Sequence, residues 1–330
     1  METLAKTRLD KIMLLAFVII PLIAVFVGTW MIWETVVFDK DLVNSQDIAV
    51  LLLMYVITGI GITAGYHRML THRSFDAHPV VRFLLLAFGS MAVESGALTW
   101  ARIHLQHHAY SDEEGDPHSP LKGFYHAHFG WMIDGLGAPE GKYDAWLTKD
   151  PMVVWFEKTF VYWVAAGFII PFLIAGWSGL FWGALVRISL GHHVTWSVNS
   201  ICHTFGKRMF KTTDLSRNQW VVGLLAFGEG WHNNHHAFPR SAFHGMRWYQ
   251  FDGAGLVIRL LEKTGLATNV WRVPQARFEA ALAYGAEQGT DVSPTIHMFR
   301  PGEKSQPAPE STPTVSPLRP TAKVPESTAS

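Results

Sequence analysis

Apolar residues gather in four stretches long enough to cross a bilayer, roughly 12–33, 48–66, 155–175 and 177–201, since a span takes about 20 helical residues. A fifth run, Val80–Val93, is broken by Arg82 and ends at Glu94, which predicts an in-plane or buried helix instead of a span. Between the third and fourth stretches the segment Gly176–Gly179 has room only for a hairpin turn. The first stretch is longer than a signal-peptide core and no small-x-small cleavage site follows it, so it reads as an anchor. Lys6, Arg8 and Lys11 precede it, and Glu34, Asp39, Asp41 and Asp47 follow it. Basic flanks stay in the cytoplasm, so the amino terminus is predicted inside and that loop outside. Four crossings then return residues 67–151 and everything past 202 to the cytoplasmic side. The expected fold class is an all-α membrane protein: four transmembrane helices under a cytosolic helical cap, in one domain over 1–300. The segment 301–330, dominated by Pro, Ser, Thr and Ala, reads as a disordered, cytoplasmic tail.

Composition supports the membrane reading. The 330 residues are 49% hydrophobic and 16% charged, against roughly 25% charged in soluble domains, and the mean hydropathy is +0.14. Lys and Arg total 27 and Asp and Glu total 27, which leaves no basic field to attract nucleic acid. Cys202 is the only cysteine, so a disulfide framework, a CxxC redox motif and cysteine-ligated zinc or iron–sulfur are excluded. Gly59-Ile-Gly61 superficially suits a dinucleotide loop. It lies inside an apolar helix with no strand before it, and small residues for close helix packing explain it better.

The 17 histidines carry the chemical signal. Three boxes stand out: Gly65-Tyr-His67-Arg-Met-Leu-Thr-His72, Arg102-Ile-His104-Leu-Gln-His107-His108, and Glu229-Gly-Trp-His232-Asn-Asn-His235-His236. HxxHH spacing puts all three imidazoles on one helical face. His67 and His72 stand about 140° apart on an ideal α-helix, so they share a centre only where the helix ends or unwinds. His203 at the end of the fourth stretch, with Asn199 one turn earlier, completes nine imidazoles on one side of the membrane. That number suits two six-coordinate ions with about twelve positions, and imidazole accommodates iron, copper, nickel or zinc. His192 falls deeper along its helix and reads as lining a cavity. His78, His118, His126, His128, His244 and His297 lack box spacing and read as surface or supporting residues.

At these residues the chain resembles the integral-membrane acyl-CoA desaturases of the stearoyl-CoA Δ9 type, from the second stretch to about Asn269. Gly228–Pro239 matches GEGxHNxHHxFP, joined by Asn199-Ser-Ile-Cys-His203, Asp116-Pro-His118 and the first two boxes. The resemblance implies that His67, His72, His104, His107, His108, His203, His232, His235 and His236 hold two irons, with Asn199 acting through a water. It implies oxygen-dependent removal of two hydrogens from a C16–C18 acyl-CoA to give a cis Δ9 double bond, with O2 as co-substrate. It also implies a kinked tunnel shaped at Trp100 and Thr195, and a coenzyme contact at Arg102, for which Lys122 is a second candidate. Gly59 and Tyr55, about 12 and 18 Å below His67 along the helix, are expected to leave room for the chain and to close its end. Asp116 and Glu229 are expected to orient ligand imidazoles. The two electrons needed per turnover must come from a separate donor, a ferredoxin, a cytochrome b5-like protein or a flavin reductase. A di-iron hydroxylase or ketolase uses similar boxes and is the enzyme alternative. A metal transporter is a more distant one, since it would place its ligands near the bilayer midplane.

Overall fold

A computed structural model of the chain describes residues 8–134 and 141–290. The expected tail at 301–330 lies outside the described residues, as do Lys6 and His297. The chain is predominantly helical. In order, the helices are α1 (Arg8–Phe38), α2 (Ser45–Ile60), α3 (Pro79–Met91), α4 (Ala97–Tyr110), α5 (Trp131–Asp134), α6 (Pro151–Lys158), α7 (Phe160–Gly179), α8 (Arg187–Ser200), α9 (Trp220–Leu225), α10 (His232–Ala237), α11 (Gly253–Lys263) and α12 (Gln275–Glu287). One small exception to the all-α expectation is a two-stranded pair, β1 (Asp76–Ala77) antiparallel to β2 (Ala267–Thr268).

Among the described residues three continuous helices are long and apolar enough to cross a membrane: Lys11–Phe38, Ser45–Thr71 and Phe160–Ser200. The third and fourth apolar stretches are thus one run of 41 residues, broken at Ala175 (φ −141°, ψ 23°) and Gly176 (φ 58°, ψ −142°). Contacts across the break show which way the chain turns. A Cβ on Gly183 would meet Pro171 Cβ at 2.6 Å, and Arg187 Nη2 donates to Gly167 O at 3.2 Å. The partners step down the two arms in opposite directions, so the run is an antiparallel hairpin, with a left-handed glycine at its bend. The third stretch also starts later than its hydropathy predicts. Trp155 belongs to α6, which Asp150 caps and Pro151 opens, and Thr159 separates α6 from α7.

An Asn44/Asp47 capping box starts α2, with Asn44 Oδ1 accepting from Gln46 N at 2.9 Å and Asp47 Oδ2 accepting from Asn44 N at 2.9 Å. The buried Asp47 also receives the Ser178 hydroxyl, pinning this end of α2 to the hairpin bend. Further along, the glycines permit close approach. A Cβ on Gly61 would fall 2.1 Å from Gly89 N, and one on Gly65 2.9 Å from Leu85 O, so α3 packs directly on this helix. That contact buries Leu85, Leu86, Gly89 and Met91, and α3 is a packed helix as its sequence predicts.

Arg187 is fully enclosed near the middle of the hairpin's return arm. Its guanidinium donates to the carbonyls of Gly183 (3.2 Å), Met91 (2.8 Å) and Gly167 (3.2 Å). The partners of this costly buried cation are therefore backbone oxygens from three segments.

A candidate metal centre

Four segments bring the boxes together. The second apolar helix does not stop at Ile60. It continues as a π-helix over Gly61–Thr71, and His72 N–H closes on His67 O at 3.0 Å. An i→i+5 bond sets residue i+5 above residue i. That removes the 140° mismatch, and the rings of His67 and His72 stand 4.8 Å apart. The helix is rewound where sequence spacing requires it to end or unwind. Helix α4 carries His104, His107 and His108, the turn after α8 carries His203, and α10 carries His232, His235 and His236.

The nine imidazoles divide into two clusters, within each of which the ligand atoms lie within 4.8 Å of one another. One holds His67, His72, His104, His108 and His235; the other holds His107, His203, His232 and His236. Each HxxHH box serves both clusters. Helix α4 sends its i and i+4 residues to the first and its i+3 residue to the second, and α10 does the reverse.

The atoms that face one another are ring ε nitrogens. His67 Nε2 stands 3.1 Å from His235 Nε2, which is 2.9 Å from His108 Nε2; His203 Nε2 is 2.9 Å from His232 Nε2. Carboxylates occupy the far side of four rings. Glu229 Oε2 is 2.6 Å from His67 Nδ1, Asp112 Oδ2 is 2.8 Å from His203 Nδ1, Asp214 Oδ2 is 2.8 Å from His236 Nδ1, and Asp116 Oδ1 is 3.0 Å from His107 Nδ1. A carboxylate only accepts, so those Nδ1 atoms carry the proton and the Nε2 atoms are left with lone pairs. Four Nε2 lone pairs, those of His67, His107, His203 and His236, are thus offered to the clusters, where a cation can accept them. Two ligands about 2.1 Å from one ion and at right angles are about 3.0 Å apart. In addition, His107 Nε2 and His236 Nε2 are buried without a protein partner. The clusters fit a di-metal site.

Electrostatics favour the same state. Burial, reinforced by neighbouring imidazoles, holds His72, His104, His108, His232 and His235 well below the ordinary histidine range, so the neutral ring that a metal needs prevails. Burial opposes ionisation of Asp112, Asp214 and Glu229. The facing imidazoles, with Arg68 at Glu229, outweigh it and keep these carboxyls below their ordinary value.

Comparison with known proteins agrees with this centre. The fatty acid desaturase family model matches residues 47–270. The sn-1 stearoyl-lipid 9-desaturase of Anabaena variabilis is 42% identical over 227 residues, covering 68% of this chain and 83% of that protein. The chain belongs to the fatty acid desaturase family. The acyl-CoA C20 Delta5-desaturase of Anemone leveillei is 41% identical over 236 residues, 70% of this chain and 75% of its own. The chloroplastic palmitoyl-monogalactosyldiacylglycerol delta-7 desaturase of Arabidopsis thaliana is 38% identical over 251 residues, 74% and 67% respectively. The protein is accordingly a membrane fatty acid desaturase, an oxidoreductase of lipid metabolism.

A largely apolar cavity of about 700 Å³ lies against the desaturase's two clusters, with His67 and His104 of one and His232 of the other in its wall. Trp100, Thr195, Gly59, Tyr55 and Asn199 also line it. Trp100 stacks on His104 at 5.0 Å. Its indole N–H and the Thr195 hydroxyl both donate to Glu94, at 3.3 and 2.8 Å. The space beside Gly59 belongs to Phe227, whose Cε2 would lie 2.3 Å from a Cβ there. Tyr55 donates to Leu225 O at 2.9 Å and packs against the Phe227 ring at 5.7 Å. Arg102 and Lys122 are not part of the cavity wall. Arg102 is buried with its Nε 2.7 Å from Asp144 Oδ2, and Lys122 is exposed on a short turn.

Four residues escaped the reading of the sequence as functional, Asp112, Asp214, Arg68 and Glu94, while His244, read there as surface or supporting, stands beside the first cluster. Asp112 stands in the acid-rich turn Ser111-Asp-Glu-Glu-Gly-Asp116 just after the second box, which is the only local signal any of them gave. Arg68, next to His67, is fully buried and bonds both Glu229 and Asp252. His244 places Nδ1 3.1 Å from Glu229 Oε2 and its ring 4.6 Å from His235.

Proposed function

We propose that the protein is an oxygen-dependent desaturase that introduces a cis Δ9 double bond into a C16–C18 acyl chain. The observation that carries this reading is that both histidine clusters open onto one apolar cavity. Two irons would be held by His67, His72, His104, His108 and His235 and by His107, His203, His232 and His236, with Asn199 acting through a water. When bound, they supply the dioxygen chemistry that amino-acid side chains lack. The overall change balances as a CH2–CH2 pair plus O2, two electrons and two protons giving a CH=CH pair and two waters.

The chain's own residues do the rest. Asp112, Asp116, Asp214 and Glu229 keep the ligand tautomers. The Glu94 bridge between Trp100 and Thr195 fixes the wall beside the centre, and the apolar lining excludes water. Four crossings, with the hairpin counted as two, would set the histidine centre and both termini on the cytoplasmic side. There a separate ferredoxin, cytochrome b5-like protein or flavin reductase would deliver electrons. The box residues resemble those of enzymes acting on acyl-CoA; the relatives include both stearoyl-lipid and acyl-CoA desaturases by name. Expression in a host that requires unsaturated fatty acid, with double bonds located by mass spectrometry, tests the reading. Growth with a C9–C10 double bond is expected, and a hydroxylated C18 product would assign a hydroxylase instead.

A further inference from the structure

A basic surface lies over the second histidine cluster, although the chain as a whole carries equal numbers of basic and acidic residues. The segment that leaves His203 folds back on itself. Lys207 and Asn218 pair as an antiparallel bridge, which closes a loop between the last long apolar helix and α9. Phe210 anchors this loop. Its buried ring packs against Phe238 at the end of α10 and Phe278 of α12, at 5.1 and 5.7 Å. Asn233 Oδ1 accepts from the N–H groups of Met209 and Phe210, at 2.7 Å each. Around that hub Lys207, Lys211, Arg240, Arg247 and Arg277 are exposed. Arg277 lies over the Phe238 ring at 5.6 Å and Arg247 over Phe278 at 5.3 Å, which holds both guanidinium groups at the surface. The loop, residues 238–247 and α12 together carry seven cations and three carboxylates, one of them the buried Asp214, so the face is net positive.

The same loop supplies the bonds that support two ligands of the second cluster. Leu215 N–H donates to Asp112 Oδ2 at 2.7 Å, and that oxygen is 2.8 Å from His203 Nδ1. Arg208 Nη2 donates to Thr212 Oγ1 at 2.7 Å, Thr212 donates to Asp214 Oδ1 at 2.8 Å, and Asp214 Oδ2 is 2.8 Å from His236 Nδ1. Leu215 is 37% exposed, so a single carboxylate oxygen separates the backbone of a surface residue from a ligand ring. The support of the first cluster lies deep by contrast: Glu229, Arg68 and Asp252, which back His67, are all buried.

We propose that an acidic one-electron carrier protein docks on this basic surface and delivers its electrons to the second cluster across the loop Lys207–Asn218. This deepens the desaturase reading and rests on it. Each encounter oxidises the carrier by one electron, and two encounters supply the two electrons of the balance given above. A cationic face suits such a partner, because attraction between opposite charges speeds a brief encounter that buries little area. Cations alone would equally suit lipid headgroups; the short polar routes from this face to two ligand rings favour the redox partner.

The test uses the full iron-loaded chain in phosphatidylcholine nanodiscs, with an acidic plant-type ferredoxin and the acidic soluble domain of a cytochrome b5 as probes. The double variant Lys207→Glu, Lys211→Glu changes two exposed side chains and should leave folding and iron content intact. At low ionic strength it is expected to raise the calorimetric Kd of the carrier that binds wild type by about tenfold or more. Reduction of the iron by that carrier, followed by stopped flow, should slow to a similar degree, and the gap should narrow as salt is added. Lys263→Glu makes the same charge change on α11, outside the patch, and should alter either quantity by no more than about twofold. Equal binding and reduction of wild type and double variant would overturn the dock, as would a wild type that binds neither carrier. Loss of co-purifying anionic phospholipid from the double variant in native mass spectrometry, with carrier affinity unchanged, would assign the surface to lipid headgroups instead. Iron reduced by the docked carrier without any desaturated product would leave the dock standing and remove the desaturase reading.

Discussion

Replacing Asp214 with Asn changes one oxygen to an NH2 group and should cost the protein one of the two metals proposed for its histidine clusters. Asp214 Oδ1 already accepts from Ser216 N at 2.9 Å and Thr212 Oγ1 at 2.8 Å, while Oδ2 faces His236 Nδ1 at 2.8 Å. The backbone N–H of Ser216 can only donate, so the asparagine must keep its oxygen there and turn its NH2 toward His236. Nδ1 then has to offer a lone pair, the ring proton moves to Nε2, and the nitrogen facing the second cluster can no longer bind an ion. The opposite rotamer sets NH2 against N–H in a buried site, which costs about 1–3 kcal/mol. Loss of such a supporting carboxylate typically lowers metal affinity about 10–100-fold, or about 1.4–2.8 kcal/mol. Iron per chain, measured by mass spectrometry after equilibration against a series of chelator concentrations, should fall from two toward one, with desaturation lost in parallel. Asp134→Asn, which changes only the partner of His126 outside both clusters, should leave both unchanged. Iron affinity in Asp214→Asn within twofold of wild type would refute the tautomer argument.

His235→Ala removes the imidazole whose Nε2 meets those of both His67 and His108; product formation should vanish while the amount of protein in the membrane fraction is unchanged, and residual desaturation would place the chemistry elsewhere. Phe227→Leu thins the ring that fills the space beside Gly59 and backs Tyr55, so the product profile should move toward longer chains; an unaltered profile by gas chromatography would remove Phe227 from the cavity floor. Burial pushes the Glu94 carboxyl from 4.5 up to about 7, against its bonds from Thr195 and Trp100 and the Arg187 charge. A raised carboxyl contributes full stability below its unfolded value and loses it as pH rises through the folded one, so wild type should lose unfolding temperature relative to Glu94→Gln between about pH 5 and about pH 8. Parallel melting curves across that range would contradict the burial argument.

The legible and illegible parts of this molecule differ in the range of the interactions that fix them. Apolar runs and HxxHH spacing are local, and from them the sequence yields the long helices, the packed α3 and the nine clustered imidazoles. The hairpin was legible because Gly176–Gly179 leaves no room for anything else. The π-helical rewinding at Gly61–Thr71 was legible only as a contradiction, since His67 and His72 could not share a face of an α-helix. Their meeting shows that the ligand geometry and the backbone form are one constraint. What stayed hidden depends on contacts between distant segments. Asp112 and Asp214 look like ordinary turn acids until His203 and His236 arrive beside them, and Glu94 looks like the end of an apolar run until Trp100 and Thr195 close on it. The same holds for Arg187, whose three carbonyl partners come from segments up to 96 positions away. Histidine spacing therefore locates this centre, while the acidic residues that make its imidazoles competent ligands are legible only in the folded chain.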